Sequence, residues 1–375
     1  MSVKNISWSL ILGLVSGALI GFYFIGLNYI GQQLGLHPGL SFLLPFAFLL
    51  IIFVRRNSDF FPTSFKEIRE AQVSETKTWS RWVAPINLFL SWISHLAGAS
   101  LGRESAAAVV STSLVRVFKL DWSFWRPIVL SASLAMATGY PLIALIIIIE
   151  LFFSNIEQKF LTVLTAWVGC LVMKTLAVPP LFQYANFNVD NKSFFTAALL
   201  TLAVGICCGY LARFYKSASE WLNSKFQQQR NRLQIMFSFL LTLVLVVAVV
   251  KLDLTKYQSL SSPMFANIQS GQVTYEFFIV KAVLTLIFIS LGFIGGEFVP
   301  SLLIGSAIGV LIAPVFSENV GFGFAMGLFA FFAGLSKMKW TGLWLVWAYF
   351  DFTTAMWSYF AISLSDSLSG DRKIF

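Results

Sequence analysis

Charge is what this sequence has least of. Asp, Glu, Lys and Arg together make 11% of its 375 residues, where a soluble domain carries about 25%. The deficit excludes an ordinary globular, disordered or collagen-like chain. Histidine is scarcer still: His37 and His95 stand alone, too few and too scattered for a zinc site. The three cysteines, Cys170, Cys207 and Cys208, are odd in number, form no spaced motif and lie in apolar stretches. Buried thiols are therefore expected, not disulfides or metal ligands. No H-E-x-x-H, Walker A loop or dinucleotide fingerprint occurs. One enzyme-like pattern does, since Gly98-Ala99-Ser100-Leu101-Gly102 fits G-x-S-x-G. A nucleophile elbow needs a preceding strand and a later histidine, yet no histidine follows His95 and the surroundings are apolar and helical. The expectation is a protein that is not an enzyme, with no cofactor and no metal.

What the sequence has in excess is apolar. Hydrophobic residues make 57% of it, with 39 Phe and 12 Trp, so bilayer spans rather than a soluble core are the natural use. A span needs roughly 20 apolar residues, which leaves room for about ten crossings. An all-α polytopic membrane protein follows, one transmembrane domain over residues 1–375 with approximate halves 1–190 and 191–375. Apolar runs lie near 6–30, 41–54, 82–101, 104–118, 126–153, 159–178, 193–213, 233–251, 275–294, 298–315, 321–335 and 341–364. The first is too long for a signal-peptide core. Its Gly13, Gly17 and Gly21 share one helical face, which would let a neighbouring helix approach closely. The runs at 41–54, 104–118, 298–315 and 321–335 are too short to cross. Such helices end inside protein or at a watery cavity, a pattern of transporters and channels.

The net charge of +9 reads as basic cytoplasmic loops, not nucleic-acid binding. Residues 55–81 and 213–232 are rich in Lys and Arg, while 31–40 holds no Lys or Arg. These two stretches and the N-terminus, with Lys4, are expected on the cytoplasmic side.

Two segments share a design. Gly102-Arg103-Glu104 opens one short apolar run and Gly295-Gly296-Glu297-Phe298-Val299-Pro300 opens another. Each is a glycine-led helix start with a carboxylate at its head, followed some 40 residues on by a break in an apolar run. This correspondence hints at an internal repeat. An acid at membrane depth costs about 2.5–3.5 kcal/mol on insertion scales, so it is a functional candidate by default. At a helix N-terminus, free N–H groups and the dipole favour an anion, and Glu104 could fill such a site until protonated or displaced. Glu297 has the same logic, with a simple turn-fixing cap as the alternative. Glu150 and Asp351 are either buried acids or exit markers, and Lys174 and Lys281 are expected to snorkel or pair.

At the two glycine-led motifs the chain resembles the CLC family of chloride channels and anion/proton antiporters. That family carries G-[KR]-E-G-P, whose glutamate is the gate, and G-G-x-F-x-P along the anion pathway. Here they read Gly102-Arg103-Glu104-Ser105-Ala106 and Gly295-Gly296-Glu297-Phe298-Val299-Pro300. The third element, G-S-G-I-P, falls by spacing on Pro62-Thr63-Ser64-Phe65-Lys66-Glu67-Ile68. The likeness runs from about residue 60 to 365 and takes in Gly139-Tyr140-Pro141-Leu142 and Thr341-Gly342-Leu343.

The resemblance implies an inverted-repeat helical fold with many tilted and half-spanning helices, a homodimer, and one anion pathway per subunit gated by Glu104. It implies anion binding at Gly102, Arg103, Gly296, Glu297, Phe298 and Val299, with Thr63 or Ser64 supplying a hydroxyl. Thr353 would replace the tyrosine that closes the inner side. Glu150 and Glu297 are the implied proton path, although the paired acids of chloride antiporters read Glu150-Leu151 here. Ser105 and Ala106 depart from the gate motif's Gly-Pro. The implied function is transport of a small anion, most simply chloride, by conduction or by exchange with protons. Fluoride/proton exchange is the alternative, because the family's fluoride branch resembles Gly-Gly-Glu at the second motif. A non-transporting scaffold of this fold is the rival from another class. The implied partners are the anion, protons, the lipid bilayer and a second copy. The short tail Asp366–Phe375 leaves no room for a regulatory domain and points to a bacterial inner membrane.

Overall fold

The computed structural model describes residues 2–58, 65–70, 82–179, 192–226, 232–261 and 264–372. Among them are sixteen α-helices and no strand. In chain order these are α1 (Val3–Leu36), α2 (Leu44–Arg56), α3 (Phe65–Glu70), α4 (Val83–Leu96), α5 (Glu104–Val117), α6 (Trp122–Thr138), α7 (Ile143–Leu151) and α8 (Ile156–Thr175). There follow α9 (Phe194–Phe226), α10 (Arg232–Lys251), α11 (Met264–Gln269), α12 (Tyr275–Ser290), α13 (Phe298–Ile312), α14 (Val320–Ser336), α15 (Lys339–Tyr349) and α16 (Phe352–Leu368). Six helical stretches among the described residues are long and apolar enough to cross a bilayer, starting at Val3, Pro38, Ile156, Phe194, Arg232 and Phe298. The others are too short to span alone. This is a multi-pass integral membrane protein.

The chain forms two units that interleave in sequence. One gathers α1 to α8, α10 and residues 291–296; the other gathers α9 and α11 to α16. In the first, α1 packs on α8 through the face that Gly13 and Gly17 open. A Cβ at Gly13 would lie 2.7 Å from the Thr165 carbonyl oxygen, and one at Gly17 2.6 Å from that of Gly169. Ser9 seals the same seam by donating to the Leu161 carbonyl at 2.9 Å. Small residues let backbones meet closely where lipid offers no hydrophobic drive, so dispersion and hydrogen bonds do the holding. Helix α5 is buried on every side from Glu104 to Val115, its small Ala, Ser and Thr side chains letting neighbours approach closely. In the second unit α14 is equally enclosed, buried from Gly321 to Ser336. It meets α13 where Gly305 faces Gly327 and Gly309 faces Gly323, with backbone so near that an added Cβ would strike carbonyl oxygen.

Five expectations change. The runs 41–54 and 298–315, expected to be too short to cross, lie in helical stretches Pro38–Arg56 and Phe298–Phe316 that are 19 residues long and apolar enough to span, because a 3-10 turn extends each helix. The run 126–153 is two helices, because Gly139 adopts φ +83° as the left-handed cap of α6, a conformation that glycine takes without strain. The run 341–364 divides at Asp351, whose carboxylate accepts from the Thr354 N–H at 2.8 Å and the Thr354 hydroxyl at 2.7 Å; it is a helix cap. Most of the supposed basic loop 213–232 is the tail of α9, kept helical because Ala212, Tyr215, Lys216 and Ser219 stay buried there. The three thiols are free, but Cys207 is exposed on the outward face of α9. Lys281 does pair: fully buried, it donates to the Ser261 hydroxyl at 3.0 Å. Lys174 is exposed.

Candidate functional site

In the first unit the site is built around a pair of glycines. The Gly102 N–H donates to the Gly296 carbonyl at 2.6 Å and the Gly296 N–H returns a bond to the Gly102 carbonyl at 3.0 Å. This two-residue antiparallel bridge stands just before the first residue of α5. Glu104 opens that helix, 1% exposed, and its carboxylate lies over both glycines. A Cβ at Gly102 would sit 2.5 Å from its Oε2. One at Gly296 would collide with Oε1 and lie 2.8 Å from the Ser105 Oγ. Only the absence of side chains at both positions leaves room for the acid. Gly102, Glu104 and Gly296 are thus brought together, and Ser105, a departure from the family pattern, adds a buried hydroxyl beside them.

Arg103 is buried as well. Its guanidinium carbon stands 3.8 Å from the centre of the Phe24 ring, a cation–π contact, and Nη2 donates to the Ala137 carbonyl at 3.2 Å. It reaches a cavity of about 440 Å³ lined also by Gly139, Pro141, Trp167, Cys170 and Lys174. Two cations therefore line one open cavity beside the acid's own neighbour in sequence.

Two residues that sequence reasoning missed complete this half. The Tyr23 hydroxyl is 2.7 Å from the Ser91 Oγ, and Ser91 donates to the Ile294 carbonyl at 3.3 Å, two residues ahead of Gly296. The Tyr23 phenol lies within electrostatic reach of Glu104 and Arg103. A usable signal was the buried polar set Asn87, Ser91, Ser94 and His95 in an otherwise apolar α4, since polar groups in membrane helices face the interior.

In the second unit Glu297 precedes α13, whose first two residues Phe298 and Val299 are buried. Pro300 occupies the first turn, where a missing N–H costs nothing. Glu297 is 7% exposed, and the Tyr215 hydroxyl of α9 donates to its Oε1 at 3.4 Å. Phe298 meets Phe332 edge to face at 5.0 Å, and Tyr215 meets Phe331 likewise at 5.9 Å. Tyr215 was missed because it sits beside Lys216, where the apolar run gives way to charge.

Glu150 is half-buried near the end of α7, and Thr353 is exposed in the first turn of α16. Thr63 and Ser64 lie outside the described residues.

Comparison with known proteins then gives three findings. A family described as voltage gated chloride channel matches residues 46–370. A chloride/fluoride channel protein of Pseudomonas syringae pv. tomato is 26% identical over 272 residues, covering 68% of this chain; this chain spans only 59% of that relative's length. Two solved structures share the fold. A CLC-type fluoride/proton antiporter superposes with a TM-score of 0.86 at 20% identity, over 98% of this chain and 97% of that one. A slow cyanobacterial Cl-/H+ antiporter gives 0.83 at 16% identity, over 98% and 95%.

Proposed function

Because the chain belongs to the voltage gated chloride channel family, we propose that it moves a small halide, chloride in the first instance, across the membrane in exchange for protons, with Glu104 as the gate. The observation that carries this reading is the buried Glu104 carboxylate seated over Gly102 and Gly296 at the head of α5. A carboxylate there holds the place of an anion, stabilised by the helix N-terminus. Protonation removes its charge and with it the reason to stay; a halide then takes the vacated place. Proton and anion alternate at one position, which couples them. Arg103, next to Glu104 in sequence, and Lys174 line one cavity, where their charges raise the local anion concentration.

The test is Glu104→Gln in liposomes. This variant resembles the protonated gate, so anion flux persists or rises while proton movement stops. Normal proton exchange by that variant removes Glu104 from the role.

A second reading, fluoride as the cargo, is favoured by one feature: the second motif carries an acid, Glu297, buried and hydrogen-bonded by Tyr215. Fluoride and chloride efflux from the same liposomes separates the two. We place the protein as a homodimer in a bacterial inner membrane with its N-terminus cytoplasmic, checked by cross-linking in membranes and by labelling a cysteine introduced at Ser2.

A further inference from the structure

We propose that Tyr215 is the positioning residue that makes Glu297 a reversible proton acceptor, through a hydrogen bond that reverses direction with the proton. This rests on the reading that Glu297 takes part in transport. Aromatic rings accompany the acid: Phe298, next to it in sequence, meets Phe332, and its hydrogen-bond partner Tyr215 meets Phe331. A bare carboxylate in such a place is strongly disfavoured unless a donor meets it. Tyr215, 2% exposed, supplies one O–H at 3.4 Å from Oε1. A phenol both donates and accepts. When Glu297 is ionised, the phenol donates to it; when Glu297 is a carboxylic acid, its O–H donates to the phenol oxygen. One partner thus serves both protonation states without rearrangement of the helices.

The other charged groups on the helices packed against α13 are exposed, Glu220 and Lys225 of α9 among them, or hydrogen-bonded to other partners. The helices packed on it are α9, α11, α12 and α14. Neither α11 nor α14 contains an acidic, basic or histidine residue. On α12, Lys281 donates to Ser261, while Glu276 lies exposed in the first turn. On α9, Lys216 donates to the Ser369 carbonyl at 3.2 Å and its hydroxyl at 3.3 Å, and Arg213 is exposed. A hydrogen bond and an electrostatic interaction both join Tyr215 to Glu297.

The experiment is a double-mutant cycle on purified protein in liposomes, reading proton and halide flux against pH. Tyr215→Phe keeps the ring against Phe331 and deletes only the hydroxyl. Losing a donor to the carboxylate disfavours its charged form, so the pH at half-maximal proton flux moves upward and fewer protons move per anion. Glu297→Gln removes the part of the pH dependence that Tyr215→Phe shifts, and the double variant matches Glu297→Gln alone, since two changes acting through one pair are not additive. If Tyr215→Phe lowers flux equally at every pH, or its effect persists in the Glu297→Gln background, its role is structural and the proposal fails. If Glu297→Gln itself keeps the wild-type pH dependence, the reading of Glu297 fails first, and the proposal with it.

Discussion

Replacing Gly296 by alanine tests the gate by sterics alone, leaving its chemistry intact. The added methyl would occupy the space now filled by Oε1 of Glu104, with Cδ 2.6 Å and the Ser105 Oγ 2.8 Å away. All three obstructing atoms end flexible side chains, so the acid swings away and the fold survives. Overpacking of this kind costs about 1–3 kcal/mol, and most of it falls on the seated arrangement, because the two nearest atoms belong to the Glu104 carboxylate. A differential of that size shifts the seated-to-open ratio by about 5- to 150-fold. In liposomes, Gly296→Ala should therefore raise halide flux at neutral pH toward the level of Glu104→Gln and flatten its pH dependence. The melting temperature in detergent should fall only slightly. Wild-type flux and pH dependence in a folded Gly296→Ala protein would mean that the seated carboxylate does not obstruct the path.

The same substitution elsewhere should behave differently. At Gly305 the obstruction is the Gly327 carbonyl, and at Gly309 that of Gly323; backbone cannot swing aside, so Gly305→Ala should lower the melting temperature clearly more than Gly296→Ala, without raising flux. Glu318 gives a pH-dependent stability. Burial opposes its ionisation, but the Thr196 hydroxyl and the N–H groups of Lys192, Ser193 and Asn319 donate to it and hold its carboxyl below the ordinary value of 4.5. A lowered folded-state value means that the stabilisation is complete at neutral pH and is lost as pH falls below about 4.5. The gap in melting temperature between wild type and Glu318→Gln should be open at pH 7 and narrow as pH falls below about 4.5; a constant gap would assign the effect to packing. Removing the hydroxyl of Tyr23 should also change flux against pH if its proximity to Glu104 matters, whereas an unaltered profile in Tyr23→Phe would leave it a packing residue.

Much of this arrangement was legible because membrane physics makes it so. Apolar runs marked most helices, and the glycine face of α1 foretold its seat on α8. Glu104 stood out because an acid inside an apolar run needs a reason to be there. What stayed hidden depends on tertiary reach. Nothing local shows that Gly296 would return to pair with Gly102, 194 positions earlier in sequence, or that the pair would form a seat for Glu104. Tyr215 and Tyr23 are ordinary residues of amphipathic or apolar helices until their partners on other segments are known. The break at Asp351 was visible as a charge, but its meaning as a cap required the geometry of Thr354.

Halide efflux from liposomes containing the purified protein, chloride against fluoride, with external pH recorded at the same time, tests the central claim most directly. The expected result is uphill proton movement driven by a halide gradient in the wild type, and halide movement without it in Glu104→Gln. No flux of either halide from folded protein would contradict anion transport and turn the molecule into a scaffold of this fold; halide flux with no proton movement in the wild type would make it a channel.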